Sequence, residues 1–580
     1  MALIQSNKKI AIVRSGIIFV SIIGLILCIT ILFPQVRRMI LEFAMQFFHR
    51  QTIMYDSWSN ALVKFALGGI GLILFLDYCT LTASGRALVG KVKQEFADSL
   101  SEIDFRSLWK PLILVFGVYL LGLLTIIRAN FLYYDDIGHA AFGYREWYNF
   151  SRYANVFLSY IVQPEISMTD ISPIPQLLAA GILACSSLLL VYVLDNKKIT
   201  GVKLLASVPL GLSPYFLQCL SYKFDAPYMA LSVLSTIAPF LFIERKRAFI
   251  FSSIVFLLIM CMTYQALSGV YPVIALMLGF QDWNSRRKSK KEILSFLGTA
   301  AFAYGIALLL LRFLLMRSTK NSYVSTEMFP MSQMIPGLLS NIKQYTITIY
   351  GDLGVIWKAG IALVLLFFII QAIRQSSQTK LLSFILSILV LILAFIASYG
   401  IYILLTMPLF QSRALSGFGV FLAIVCVYAV SKGIKSAAIV VLALNWCFFV
   451  FAFSYGNALA DQARYAEFRI TLFLNDISWL YPDPNSEDLS IQLENSIDFT
   501  PSVKNIAKQY PVIERLVPKR FGYLWDDYYY RSWFGFACKS NFYSLEDYVD
   551  FRTLNLPVVA DTYYHTIQSD GKHILVTLKH

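Results

Sequence analysis

About 13 apolar runs leave this chain few folds to choose from. They fall near 15–33, 60–80, 111–128, 174–194, 203–219, 226–243, 248–263, 267–280, 294–316, 354–373, 381–407, 416–431 and 436–456. A helix needs roughly 20 apolar residues to cross a bilayer. In hydrocarbon the backbone must satisfy its own hydrogen bonds, so such runs become helices. The expected class is an all-α polytopic membrane protein over residues 1–456, with a segment near 264–272 that can instead be re-entrant. The first run follows Lys8, Lys9 and Arg14, is too long for a signal-peptide core and lacks a clear cleavage site, which predicts a retained span.

Charge sets the direction of threading. Basic residues crowd into alternate loops: Arg86, Lys91 and Lys93; Lys197 and Lys198; Arg245, Lys246 and Arg247; then Arg286, Arg287, Lys288, Lys290 and Lys291. The loops between them carry about half as many. This positive-inside pattern predicts an N-in topology, and an odd number of spans puts the C-terminal part outside. The net charge of +14 is accounted for by these loops, with some attraction to anionic membrane lipids. It does not call for a nucleic-acid partner. Only 14% of residues are charged, against roughly 25% in a soluble domain, so any soluble part is minor.

That part is residues 457–580, whose polarity is ordinary and which predict a small outer α/β domain. Ser502 to Val517 has helical spacing, with Pro511 starting or kinking a helix. The string YYHTIQSDGKHILVTLKH predicts a β-hairpin around Asp570-Gly571. Cys538 is alone in this region, so it forms no internal disulfide. The five histidines are dispersed and show no zinc-ligand spacing, so neither a metal nor another cofactor is expected.

Chemistry is carried by the outer loops. The first holds YYDDIGHAAFGY (Tyr133 to Tyr144), and two adjacent acids at a bilayer border are costly unless solvated, paired or used. Asp135 and Asp136 suit a general base with a supporting carboxylate. The alternative, which composition alone favours, is a solvated pair or partners for Arg128, Arg145 or Arg152. The following REWYNFSRY interleaves Arg145 and Arg152 with Trp147 and other aromatics, as does Tyr144 just before it. Such a mixture fits sugar stacking and phosphate pairing, or an interfacial aromatic belt. Asp170 lies just ahead of a span that opens with Ser172, Pro173 and Pro175, where it can cap the helix. In SYKFDAPYMALS, Lys223 and Asp225 occupy a very short turn, either gripping a lipid phosphate or pairing locally. Tyr264 and Gln265 precede Gly269 at another outer turn; Gln265 can bond sugar hydroxyls or satisfy broken helix backbone. Arg413 stands alone in PLFQSRAL, suited to a phosphate or to lipid headgroups. The aromatic stretch Tyr523 to Phe536 can stack on glycan, or pack a core.

Taken in order, YYDDIGHAAFGYREW, Arg152, DISPIPQLLA, SYKFDAPYMALS and TYQALSGVY resemble the bacterial O-antigen glucosyltransferases that convert serotype, a family of the GT-C superfamily. The resemblance covers residues 115–280 well, is loose over 281–456 and is absent from the tail. One departure is His139, where the family often shows Arg three residues after the acid pair. The resemblance implies a membrane-embedded, inverting transferase that moves glucose from a polyprenyl-phosphate carrier to a lipid-linked or surface polysaccharide. Its chemistry would lie at the periplasmic face of a bacterial inner membrane. It further implies a catalytic acid at Asp135 or Asp136. Lys223, Arg413, Arg152 and Arg145 are then candidates for the donor phosphate, and Asp170, Asp225, Tyr264, Gln265, Tyr144 and Trp147 for the sugars. The rival readings are a polymerase or ligase of lipid-linked glycans, which would rely on late Arg-rich loops, and a flippase, which would bury charges in mid-span.

Overall fold

The computed structural model describes residues 2–47, 55–316, 325–481, 489–521, 529, 533–535, 539–541 and 548–579. Among these, ten helices are long and apolar enough to cross a bilayer. There are eleven if Gly201–Leu212 and Pro214–Ser221, which meet at 61°, make one bent span. The expectation of about 13 is corrected at two places. The run 226–243 is a helix over Ala226–Ile237 continued by a 3-10 turn to Phe242. The run 267–280 starts with a 3-10 turn, Gln265–Gly269, and only then becomes the Val270–Asn284 helix. Pro227 and Pro239 open the first two pieces, and prolines start helical turns rather than continue them.

Local chemistry marks the ends of the helices. Thr82 caps Ala83–Ser101 by accepting from the Gly85 N–H at 2.9 Å, and Asp104 caps Phe105–Ala129 through the Arg106 N–H at 3.1 Å. Ser289 and Glu292 form a capping box for Lys290–Leu310. Phe105–Ala129 packs along Lys435–Leu480. They touch at Gly456, where a Cβ would lie 2.4 Å from Thr125 Oγ1 and 2.5 Å from its backbone. Small residues permit such close crossings where no hydrophobic drive separates lipid from protein.

The basic loops share one end of the bundle. Arg247 reaches Glu95 at 2.8 Å, Arg245 reaches Glu102 at 3.5 Å, and Lys288 reaches Glu244 at 3.0 Å; Lys197 also pairs with Glu102. Exposed pairs of this kind contribute about 1 kcal/mol or less. Their value is that they gather four loops on one side. The outer loops gather at the opposite end.

Lys435–Leu480 is 46 residues long, about 69 Å at 1.5 Å per residue. A hydrocarbon core is only about 30 Å thick, so this helix runs well beyond it. Its far half carries a five-stranded sheet in the order β2-β1-β5-β4-β3: β1 Ser490–Glu494, β2 Lys539–Ser540, β3 Val558–Asp561, β4 His565–Ser569 and β5 His573–Leu578. β1 runs parallel to β5 and β2, while β3, β4 and β5 form an antiparallel meander. The β4–β5 hairpin turns where expected, with Gly571 at φ +93°, a conformation glycine adopts without cost. Ser502 to Val517 is helical in two pieces, Pro501–Gln509 and Ile513–Leu516, broken around Pro511. Ile491, Ile567, Ile574 and Val576 of the sheet pack on Ile470, Phe473 and Ile477 of the long helix. Most of the aromatic stretch Tyr523 to Phe536 lies outside the described residues; Tyr529 belongs to this sheet core.

Candidate active site

The acid loop leaves the Phe105–Ala129 helix through Asn130, at φ +47°, and enters the short helix Asp135–Phe142 through Tyr134, at φ +43°. Left-handed backbone at a tyrosine is strained, and persists where the surroundings over-determine it. What holds it is Asp136. That side chain has no exposed surface, and it accepts the N–H groups of Tyr133 at 3.0 Å, Lys223 at 3.0 Å and Phe224 at 3.3 Å. Burial pushes its carboxyl up, while the Lys223 and Tyr133 N–H groups and the Lys223 charge pull it down. The two neighbours therefore divide: Asp136 ties the acid loop to the Lys223 turn, and Asp135 is half-buried in the first turn of its helix.

Lys223 is itself buried. Its ammonium donates to Asn130 Oδ1 at 2.6 Å and Asp170 Oδ2 at 2.8 Å. Asp170 is not a helix cap: its other oxygen accepts from the Ser172 N–H and hydroxyl, and Ile174–Leu194 starts behind Pro173 with no side-chain cap. Burial raises the Asp170 carboxyl, but the Lys223 and Ser172 bonds outweigh that and hold it below the usual carboxylate range. Asn130, two residues before Leu132, thus joins the lysine to the acid loop.

Asp225 lies on the same short turn. It is buried, accepts from Trp147 Nε1 at 2.8 Å, and lies 3.7 Å from Arg152 Nη1. Burial pushes its carboxyl up; Arg152 and His139 pull it down, and the nearby charge of Asp135 pushes it up. Trp147 therefore spends its indole N–H on Asp225 and its face on His139, with ring centres 5.0 Å apart. His139 also meets Phe224 at 5.3 Å, and its Nδ1 lies 3.0 Å from the Tyr144 carbonyl. His139 thus sits in an aromatic stack with Trp147 and Phe224.

The cations differ in how far they are committed. Arg145 is buried, and donates to Ser159 Oγ at 3.0 Å and to the Gln163 and Glu165 carbonyls at 2.7 Å, as well as to the Ile166 carbonyl. That fork is spent on folding the 159–166 loop, so the geometry gives Arg145 a loop-building task. Arg152 lies over the Tyr264 ring at 5.0 Å, and among the described residues its buried Nε has no hydrogen-bond partner. Gln265 Nε2 donates to the Phe150 carbonyl at 3.2 Å, tying the Tyr264 turn to the Arg152 loop. Arg413 lies over the Tyr222 ring at 4.9 Å. The Cys219 thiol lies 3.9 Å from the Arg413 carbonyl and 3.4 Å from Ser416 Oγ, which seats the Arg413 loop on the Pro214–Ser221 helix that leads into the Lys223 turn. Tyr222 packs on Tyr133 at 4.8 Å and on Tyr134 at 6.5 Å, which brings Arg413 beside the acid loop.

Asp135, Asp225, Arg152 and Arg413 thus converge from three loops, with the Lys223–Asp170 pair behind them. Two guanidinium groups beside a base-bearing loop suit an anionic leaving group and a hydroxyl nucleophile. Among the described residues no three His, Cys, Asp or Glu side chains gather as a metal site. Sequence reasoning passed over Asn130, Tyr133, Gln218 and Tyr222. Tyr222 lies next to Lys223 in a string already singled out, but its ring reads as core; Gln218 reads as part of a span.

Fold and site together define a multi-pass membrane protein whose polar machinery sits at one end of the bundle. A family model described as glucosyl transferase GtrII matches residues 124–430, over half of the chain, and the protein belongs to that family. It is similar to a Salmonella phage P22 protein described as an uncharacterized 55.3 kDa protein in the gtrB 5′ region, 25% identical over 168 residues. That match covers 29% of this chain and 34% of the phage protein, so the chain spans about a third of its relative's length. No solved structure matches.

Proposed function

We propose that the protein transfers glucose from a polyprenyl-phosphate carrier to a hydroxyl of O-antigen or a related surface glycan, with inversion at the anomeric carbon. Asp135 is the base. It takes the proton of the acceptor hydroxyl as that oxygen attacks the anomeric carbon. The carbon–oxygen bond to the carrier phosphate breaks on the opposite face, and the polyprenyl phosphate departs with its electron pair. Charge grows on that phosphate, and Arg152 and Arg413 are the cations that stabilise it. Lys223, locked to Asp170, holds the Asp225 turn and adds positive charge from behind. The transition state is oxocarbenium-like, as in glycoside hydrolysis.

The observation that carries this reading is the arrangement around the acid loop, at the end of the bundle opposite the basic loops: Arg152 lies 3.7 Å from Asp225, and Arg413 lies over Tyr222, which packs on Tyr134 next to Asp135. Basic loops prefer the cytoplasmic side, so the site would face the periplasm of an inner membrane. Lipid-linked sugar suits that face, since the carrier keeps its chain in the bilayer while its phosphate reaches the outer loops. A flippase would need charges lining a route through the bundle; the candidates here sit in the loops at one end.

The test is mass analysis of surface glycan from cells with and without the protein. Gain of one hexose per repeat is expected. An unchanged repeat mass alongside verified membrane expression would reject the transferase reading.

A further inference from the structure

Residues 515–520 lie beyond the family match, yet they touch both loops that bracket the site. The Leu516 carbonyl accepts from the Tyr133 hydroxyl. The Tyr133 oxygen accepts from Gln218 Nε2 at 3.0 Å, and Gln218 Oε1 accepts from the Arg413 N–H at 2.5 Å. One buried relay therefore runs from the tail through the acid loop to the arginine loop. Arg520 Nη2 donates to the Leu132 carbonyl at 2.9 Å, three residues before Asp135, with its guanidinium 4.5 Å from the Phe131 ring. Arg515 reaches the other loop. Its Nη1 bonds Asp352 at 2.5 Å and its Nη2 the Phe410 carbonyl, three residues before Arg413.

Apolar packing repeats the pattern. Leu132 and Ile137, on either side of the acid pair, belong to the sheet's hydrophobic core. Phe499, Val503, Leu516 and Val517 of the tail belong to the core of the helical bundle. Tyr133, Gln218 and Leu516 have no exposed surface and Arg520 has 3%, so these bonds are not traded freely with water.

We propose that Arg515–Arg520 is a brace that sets the distance between Asp135 and Arg413, making the C-terminal segment a working part of the active site. This rests on the roles given above to Asp135 and Arg413. Tyr133, Gln218, Arg515 and Arg520 are positioning residues: none need touch substrate. A base and a phosphate-binding cation held by separate loops are productive only when both loops are fixed, and a misplacement of about 1 Å can cost about 100-fold in rate.

The test uses the full chain, purified, with polyprenyl-phosphate-glucose and a lipid-linked glycan acceptor. Tyr133→Phe keeps the ring contacts and cuts the relay; Arg520→Lys keeps the charge and shortens the reach. Each is expected to lower kcat per folded molecule by about 10-fold to 100-fold, with donor KM within about twofold of wild type. Arg552→Lys, in an exposed pair with Asp550, serves as the control and keeps full activity. Wild-type kcat per folded molecule in both brace variants overturns the proposal, including when less folded protein accumulates, since that is a purely structural role. Asp135→Asn separates the two claims. If it is inactive while the brace variants are normal, only the brace fails; if it transfers normally, the site reading fails and the brace with it.

Discussion

Replacing Asp136 with alanine should cost the protein its fold before it costs it chemistry. Three backbone N–H groups point at this one carboxylate, from Tyr133, Lys223 and Phe224. The side chain is fully buried, so water cannot replace it. Each buried donor left unsatisfied costs about 1–3 kcal/mol, which gives about 3–9 kcal/mol for three donors before relaxation. Total stability of a domain is about 5–15 kcal/mol, so Asp136→Ala should leave little folded protein. Asp136→Asn keeps one acceptor oxygen and adds an amide that faces donors, so an intermediate loss is expected. The assay is thermal unfolding of detergent-solubilised protein, followed by monodispersity on size exclusion. Wild-type melting of Asp136→Ala, combined with lost sugar transfer, would refute the structural assignment and return Asp136 to the chemistry.

Further outcomes follow from other parts of the molecule. Lys223→Ala removes the partner of Asp170 and Asn130 and should weaken donor use more than acceptor use in steady-state kinetics; equal effects on both would reject its role near the phosphate. Gly456→Val places side-chain atoms where Thr125 already lies within 2.4 Å of a Cβ, and should lower the melting temperature by several degrees. In the tail, burial pushes the Asp498 carboxyl up, but Lys504 and Lys519 outweigh it and hold it well below the usual range. A depressed carboxylate stabilises the fold above its unfolded pKa and loses that contribution as pH falls through the folded one. Asp498→Asn should therefore flatten the acid limb of a melting-against-pH curve below about pH 4, by less than about 1 kcal/mol because both lysine partners are about half exposed. An unchanged acid limb would count against the pairing.

Much of this architecture could be read from residue pattern because apolar length and loop charge are local properties. The long runs became helices, and the Asp570-Gly571 hairpin turned where its residues demand it. Span counting erred at 226–243 and 267–280, where prolines and 3-10 turns shorten the helices without lowering apolarity. The site was legible as a set of loops but not as a division of labour. Adjacent Asp135 and Asp136 look alike in sequence, yet Asp136 is fully buried and meets three backbone donors, two of them from a turn almost ninety positions later. Arg145 and Asp170 read as phosphate binder and helix cap; their partners, loop carbonyls and Lys223, are set by tertiary packing. Gln218 carries no sequence signal at all, because a glutamine in an apolar run announces neither of its bonds.

The most direct measurement is the rate of sugar transfer by purified Asp135→Asn with polyprenyl-phosphate-glucose as donor. Loss of a general base costs about 100-fold to 10,000-fold, and the variant should show that fall with unchanged melting. Transfer at the wild-type rate from a folded Asp135→Asn protein would contradict the account at its centre.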